Sequence, residues 1–229
     1  GLFSPGAHPL GTDEIGRDIL SRLIHGSRIT LLVATTAVVL GGIAGTVLGI
    51  LAGYKGGITD RLLMRLVDIQ LAIPLMLLAL LVVAALGPSL RNVVLVLALT
   101  SWIRYARIIR AQVLSLRERE FVQSARAIGA STTRIMFLHI LPNVLSPVLV
   151  IATISLALAI IAEATLSFLG VGAPPTQPSL GTLIRIGQGF LFSGEWWILL
   201  FPAITLLALA LSVNLLGDWL RDALNPRLR

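Results

Sequence analysis

The chain has 229 residues, 56% of them hydrophobic and 13% charged, with a formal net charge of +7 and no cysteine. Soluble domains average about 25% charged and about 45–50% apolar residues, so this apolar excess cannot all be hidden in a soluble core. An integral membrane protein is the expected class, and disulfide frameworks and thiolate metal sites are excluded. The basic residues collect at the ends of apolar runs, as membrane topology requires, so a nucleic-acid partner is not expected.

The sequence opens on Gly1, and residues 1–28 lack the basic start and apolar run of a signal peptide, so a longer parent protein is expected. Residues 12–25, TDEIGRDILSRLIH, predict an interfacial helix in an outer-side segment spanning 1–28. Thr12 is its expected N-cap, Asp13 and Glu14 suit the first turn, and Ile15, Ile19, Leu23 and Ile24 share a face.

Residues 29–229 read as a transmembrane domain. A bilayer core of about 30 Å needs roughly 20 apolar residues in helical form. The 26 uncharged residues between Arg28 and Lys55 predict a first span at Ile29–Gly53, and the 22 between Asp68 and Arg91 a second at Ile69–Leu86, kinked near Pro74. A third runs from Asn92 to Arg110, with Arg104, Arg107 and Arg110 placed to snorkel at its far end. The fourth is Val144–Leu169 and the fifth Trp196–Leu216. If the segment around 112–142 is cytoplasmic, 13 basic residues lie inside and five (Arg17, Arg22, Arg28, Arg91, Arg185) outside, which satisfies the positive-inside rule. The C-terminus is then cytoplasmic, and a sixth span is expected upstream. Between spans four and five, Leu180–Phe190 predicts a short helix in a Gly- and Pro-rich outer loop.

Gly41, Gly45, Gly49 and Gly53 recur every fourth residue in the first span, a smooth stripe on which another helix can lie closely. It fits packing within this chain's own bundle, or an interface with a partner half of a pore. Glu163 is an acid in a strongly apolar run, a functional hypothesis by default, although its position near the outer boundary also fits a solvated end or a structural pair.

The most informative stretch is Glu120 to Asn143, EFVQSARAIGASTTRIMFLHILPN. Phe121, Ala125 and Ile128 fall at i, i+4 and i+7, and Ser124, Ala125 and Ala127 keep the helix slender enough for a groove. Gly129 is placed to end it, Ser131 or Thr132 to cap a following helix, and Pro142 to interrupt that one.

This stretch resembles the cytoplasmic loop of binding-protein-dependent ABC importer permeases, whose pattern is Glu-Ala-Ala, three residues, Gly, nine residues, Ile, one residue, Leu-Pro. Aligned on Gly129, the later positions fall on His139, Leu141 and Pro142; Ala125 matches, while Gln123 replaces the acid and Ser124 the first alanine. HPLGTDEIGRDILSRLIHGSRITL at residues 8–31 and LLGDWLRDALNPRLR at 215–229 are similar to segments of the DppC/OppC branch, which handles peptides or nickel. The resemblance implies an all-α permease of the type I importer kind in a prokaryotic inner membrane. It also implies a homologous DppB/OppB-like permease partner, two ATPase subunits that carry ATP and Mg, and an extracytoplasmic solute-binding protein. Glu120, Phe121, Gln123, Ser124, Ala125, Arg126, Ile128, Gly129, Leu141 and Pro142 would form the loop that meets the ATPases.

Enzyme motifs are missing. There is no G-x-x-x-x-G-K-[ST], no H-E-x-x-H and no G-x-S-x-G, and His8, His25 and His139 are scattered. No catalytic residue, resident cofactor or metal is expected in this chain. A self-sufficient secondary carrier or channel is the alternative, but such proteins place polar groups near mid-membrane, where only Glu163 is a candidate.

Overall fold

A computed structural model describes residues 8–174 and 176–223. Every named element among them is helical, and a single bridge pairs Thr12 with Asp18. Four helical runs are long and apolar enough to cross a bilayer: α1 (Ile19–Lys55), α4 (Leu90–Leu116), the run Thr132–Phe168 and α9 (Trp197–Ala223). A further candidate is the pair α2 (Gly57–Leu71) and α3 (Leu75–Leu86), bent by 86° and apolar enough to count as a fifth span only when the two are taken together. The 12 residues of α3 reach about 18 Å, short of the roughly 30 Å hydrocarbon layer on their own. Pro74 stands directly before α3; without an N–H, and with a ring that drives its predecessor out of the helical region, it makes the expected kink a full break.

The N-terminal segment differs from expectation. No separate helix forms over 12–25, and α1 begins at Ile19 and continues to Lys55. Thr12 is not the cap. Asp18 takes that role, its carboxylate accepting from Ser21 N–H at 2.8 Å. Asp13 organises the turn before it, accepting from the N–H groups of Ile15 (3.1 Å) and Arg17 (2.9 Å), from the Arg17 guanidinium (2.7 Å) and from Arg22. Burial alone would raise the Asp13 carboxyl pKa, yet these hydrogen bonds and the Arg22 charge hold it below its ordinary value. Nothing between Leu20 and Ile29 breaks the helix, so the amphipathic stretch became the first turns of the span itself.

Two compact units emerge from the packing. The first contains the described residues 8–37, Leu75–Leu97 and Leu156–Leu215. Its core joins Val33 and Ala37 of α1 to Ala79 of α3, Val93, Val96 and Leu97 of α4, and Leu166. A second cluster holds Ile19, Leu23, Leu180, Leu183 and Ile198. The other unit contains Val38–Pro74, Ala98–Ser155 and the described residues 216–223. Here α2 lies along α4: Val67 packs with Trp102, Ile103 and Ala106, Gln70 accepts from the Trp102 indole at 2.9 Å, and Asp60 forms a two-pronged pair with Arg110. The charges Asp60, Arg61, Arg65 and Asp68, expected in a connection, thus sit on a helix.

All five basic residues expected outside fall in the first unit, and the described ones expected inside fall in the second. Arg227, Arg229 and the end of the 215–229 segment lie outside the described residues.

Candidate functional site

The segment around 112–142 belongs to the second unit and forms a small helical module. Its first element, α5 (Glu120–Ala127), starts after extended Arg119 and stops at Ile128. Gly129, at φ +84°, closes it in the way the sequence predicts: Gly129 N–H donates to the Arg126 carbonyl at 2.9 Å and Ala130 N–H to the Ala125 carbonyl at 3.0 Å. This paired pattern satisfies carbonyls that would otherwise be orphaned, and it needs a residue free to take positive φ. Ser131 caps α6 (Thr132–Ile135), its hydroxyl accepting from Arg134 N–H at 3.4 Å.

A five-residue π turn, Met136–Ile140, then leads into α7 (Leu141–Phe168). Pro142 was expected to interrupt the helix, yet the run stays helical from Thr132 to Phe168. The wider π turn immediately upstream accommodates a ring that would clash with the carbonyl four residues back. Leu141 lines an apolar cleft of about 80 Å³ with Val47, Ile50, Leu51, Met136 and Phe137, whereas Pro142 is exposed.

The faces of α5 differ from the expected one. Val122 and Ala125 turn inward, while Phe121, Gln123, Ser124, Arg126 and Ile128 are exposed, Ile128 to 85%. Phe121, Ala125 and Ile128 therefore do not present one common surface. Val122, a larger apolar residue three positions before Ala125, was the sequence signal for the inward face. Two contacts tie the helix to its neighbours. Arg126 donates to the Tyr54 hydroxyl at 3.2 Å, with its guanidinium 5.0 Å from the Tyr54 ring centre, at the end of α1. Phe121 meets the His139 ring of the π turn at 6.5 Å. Arg117 also donates to the Gly53 carbonyl at 3.2 Å. Sequence reasoning did not find Tyr54.

The glycine stripe lies against α4 of the same chain. An added Cβ at Gly45 would stand 2.2 Å from the Trp102 carbonyl oxygen, at Gly49 2.8 Å from that of Ala106, and at Gly53 2.8 Å from Val113 Cβ; at Gly41 it would meet Ser101 and the Ala98 carbonyl. The backbones touch along the whole stripe.

In the first unit, Glu163 is completely buried rather than at a solvated end. Thr30 of α1 donates to one carboxylate oxygen at 2.8 Å and Ser167 of α7 to the other at 2.6 Å. Each hydroxyl in turn accepts a backbone N–H, from Leu180 (3.3 Å) and Ala173 (3.1 Å) respectively. Leu180 opens α8 (Leu180–Gln188), which Ser179 caps and which buries Leu180, Gly181, Thr182, Leu183 and Gly187. Counting along the span placed Glu163 near water, but the Gly- and Pro-rich loop folds back over it.

The described residues thus combine helical runs long and apolar enough to cross a bilayer with a short, largely exposed helical module. Residues 45–229 match the family described as binding-protein-dependent transport system inner membrane component, and the chain belongs to it. It is a permease component of an ABC importer. The di/tripeptide transport system permease protein DppC of Pseudomonas aeruginosa is 46% identical over 220 residues, covering 96% of this chain and 72% of that protein. The dipeptide transport system permease protein DppC of Haemophilus influenzae is 45% identical, covering 97% and 75%. Among solved structures, an inward-facing MetNI methionine ABC transporter chain aligns with a TM-score of 0.74 at 21% identity, covering 93% of this chain and all of that one. An amino acid ABC transporter chain gives 0.67 at 18%, covering 89% and 94%. These likenesses establish the type I importer permease fold.

Proposed function

We propose that this chain is one half of the translocation path of an ATP-driven importer of short peptides in a prokaryotic inner membrane, with its C-terminus cytoplasmic. A homologous permease supplies the other half, an extracytoplasmic binding protein delivers the cargo, and two ATPase subunits hold ATP and Mg. Hydrolysis belongs to those partners. The short helix α5 is the part they grip.

One observation carries this reading: α5 leaves Phe121, Gln123, Ser124 and Ile128 exposed while being fastened to the chain through Tyr54 and His139. A helix held by Arg126 at the end of α1 and by Phe121 at the foot of α7 moves those spans when it moves. Closure of the ATPases would supply the differential contact that a two-state switch requires. Peptide cargo is inferred from the two DppC relatives.

The test is Ile128→Asp in the reconstituted importer with both permeases, both ATPases and the binding protein. Cargo-stimulated ATP hydrolysis and peptide uptake should both collapse, while the melting temperature of the permease pair stays put. Uptake that continues with no ATPase subunit present would overturn the reading in favour of a secondary carrier.

A further inference from the structure

The third span buries an apolar side within its unit, and its exposed side carries arginines beside Leu95, Leu99 and Ile108. Thr100, Arg104, Arg107, Ala111 and Ser115 recur at spacings of four, three, four and four, one face of α4. Thr100 is half-buried and the other four are exposed, whereas Trp102, Tyr105, Ala106, Ile109 and Val113 on the opposite side are buried.

Depth makes this face unusual. The glycine stripe registers α1 against α4, with Gly45 on Trp102 and Tyr105, Gly49 on Ala106 and Ile109, and Gly53 on Arg110 and Val113. Arg104 is therefore level with Gly45, about 15 Å along the helix from Lys55. At that level α1 displays Ile43 and Val47, 61% and 50% exposed, a surface suited to lipid chains. An exposed guanidinium at the same depth is costly against hydrocarbon and must meet water or protein. Arg104 also does not simply trail toward headgroups as the sequence suggested. Its Nη1 donates at 3.4 Å to the hydroxyl of Ser155, a buried residue of α7.

We infer that this face lines the water-filled path, and that Arg104 and Arg107 form a cationic station for a carboxylate of the passing cargo. The inference rests on the importer reading above and names the chemistry that the path recognises. Side chains three apart on a helix are neighbours. Two guanidinium forks there match the two oxygens of a carboxylate, and Ser155 steadies one of them. Because the pair is wet, it holds such a group only weakly, as conduction requires.

The chain has no cysteine, so single cysteines report water access directly. In the complete detergent-solubilised importer, Arg104→Cys, Arg107→Cys and Ala111→Cys are treated with a charged methanethiosulfonate, with Ile43→Cys and Val47→Cys as controls at comparable depth. The first three should react and the controls should not. A dipeptide added free, without binding protein, should protect Ala111→Cys in the chain that keeps both arginines, by about ten-fold, the ratio one charge-assisted hydrogen bond supplies. Its C-terminal amide should protect far less, and Arg104→Gln with Arg107→Gln should abolish the difference. Equal reactivity of both sets, protection by the partner permease without cargo, protection that follows anionic lipid, or indifference to the carboxylate would each overturn the inference. Loss of the importer reading would show separately, as uptake by the unsubstituted complex without ATPase subunits.

Discussion

Two short helices interrupt the spans, and they are built for opposite tasks. The nine residues of α8 bury five of their number and lie against other backbone: an added Cβ at Gly181 would stand 2.2 Å from the Ala164 carbonyl oxygen, and one at Gly187 2.6 Å from Leu199. The eight residues of α5 bury only Val122 and Ala125, and side-chain contacts to Tyr54 and His139 fasten them. Glycine contact and a buried carboxylate fix the first helix within its unit. Exposed apolar residues on a lightly fastened helix leave the second available to a partner. A helix meant to stay spends its surface on its own chain, and one meant to be gripped keeps it.

The sharpest way to break this contrast is to add bulk to both helices. Gly181→Val places methyl groups in the Ala164 backbone and should cost about 3 kcal/mol or more, read as thermal unfolding in detergent. Ser124→Val on exposed α5 should stay within about 0.5 kcal/mol. Equal losses would show that α5 is as tightly docked as α8.

Next in size is Glu163→Ala, which strips the acceptor from Thr30 and Ser167 and should cost about 2–3 kcal/mol. Hydrogen exchange should rise over residues 176–188, while 120–127 keeps its protection. Glu163→Gln retains one acceptor oxygen and should lose less. Unchanged exchange at Leu180 in the alanine variant would separate the carboxylate from α8 anchoring.

Smaller still is Gly129→Ala. Nothing stands within 4 Å of the added Cβ, so the cost is that of holding a side chain at φ +84°, about 1 kcal/mol. Its effect on cargo-stimulated ATP hydrolysis should exceed what that loss of stability explains, because α5 would end in a different direction. A variant that hydrolyses ATP normally would show that the end of α5 is not part of the docking surface.

What could be read in advance follows from the range of each interaction. Span positions were legible because uncharged runs such as 29–54 have only one use, and the end of α5 was legible because Gly129 and Ser131 act on their own backbone. The Pro74 break was visible, but α2 was hidden because Asp60, Arg61, Arg65 and Asp68 resemble a polar connection until Arg110 is known to face Asp60. The glycine stripe announced a close neighbour without naming α4, since spacing along one helix carries no information about its partner. Glu163 was misplaced for the same reason: its surroundings come from Thr30, 133 residues away. The inward turn of Ala125 depended on weighing it against Val122 rather than on the family pattern.

The smallest effect tests how far the rigid region extends beyond α8. The turn at residues 10–18 joins it through Leu10, packed beside the Leu180 and Leu183 cluster, and through the Thr12 carbonyl, which accepts from the Trp197 indole at 3.2 Å. Asp13 holds that turn, and although burial would raise its carboxyl, the hydrogen bonds and the Arg22 charge hold it below its ordinary value. A depressed carboxyl contributes stability above its unfolded pKa and loses it as pH falls through the folded one. The turn should therefore be fully protected from exchange at neutral pH and open progressively below about pH 4. Asp13→Asn should remove that pH dependence at a cost of about 1 kcal/mol, leaving exchange in α5 untouched. A turn that opens with the same pH profile in the asparagine variant would place the controlling acid elsewhere and shrink the rigid region to α8 and its buried glutamate.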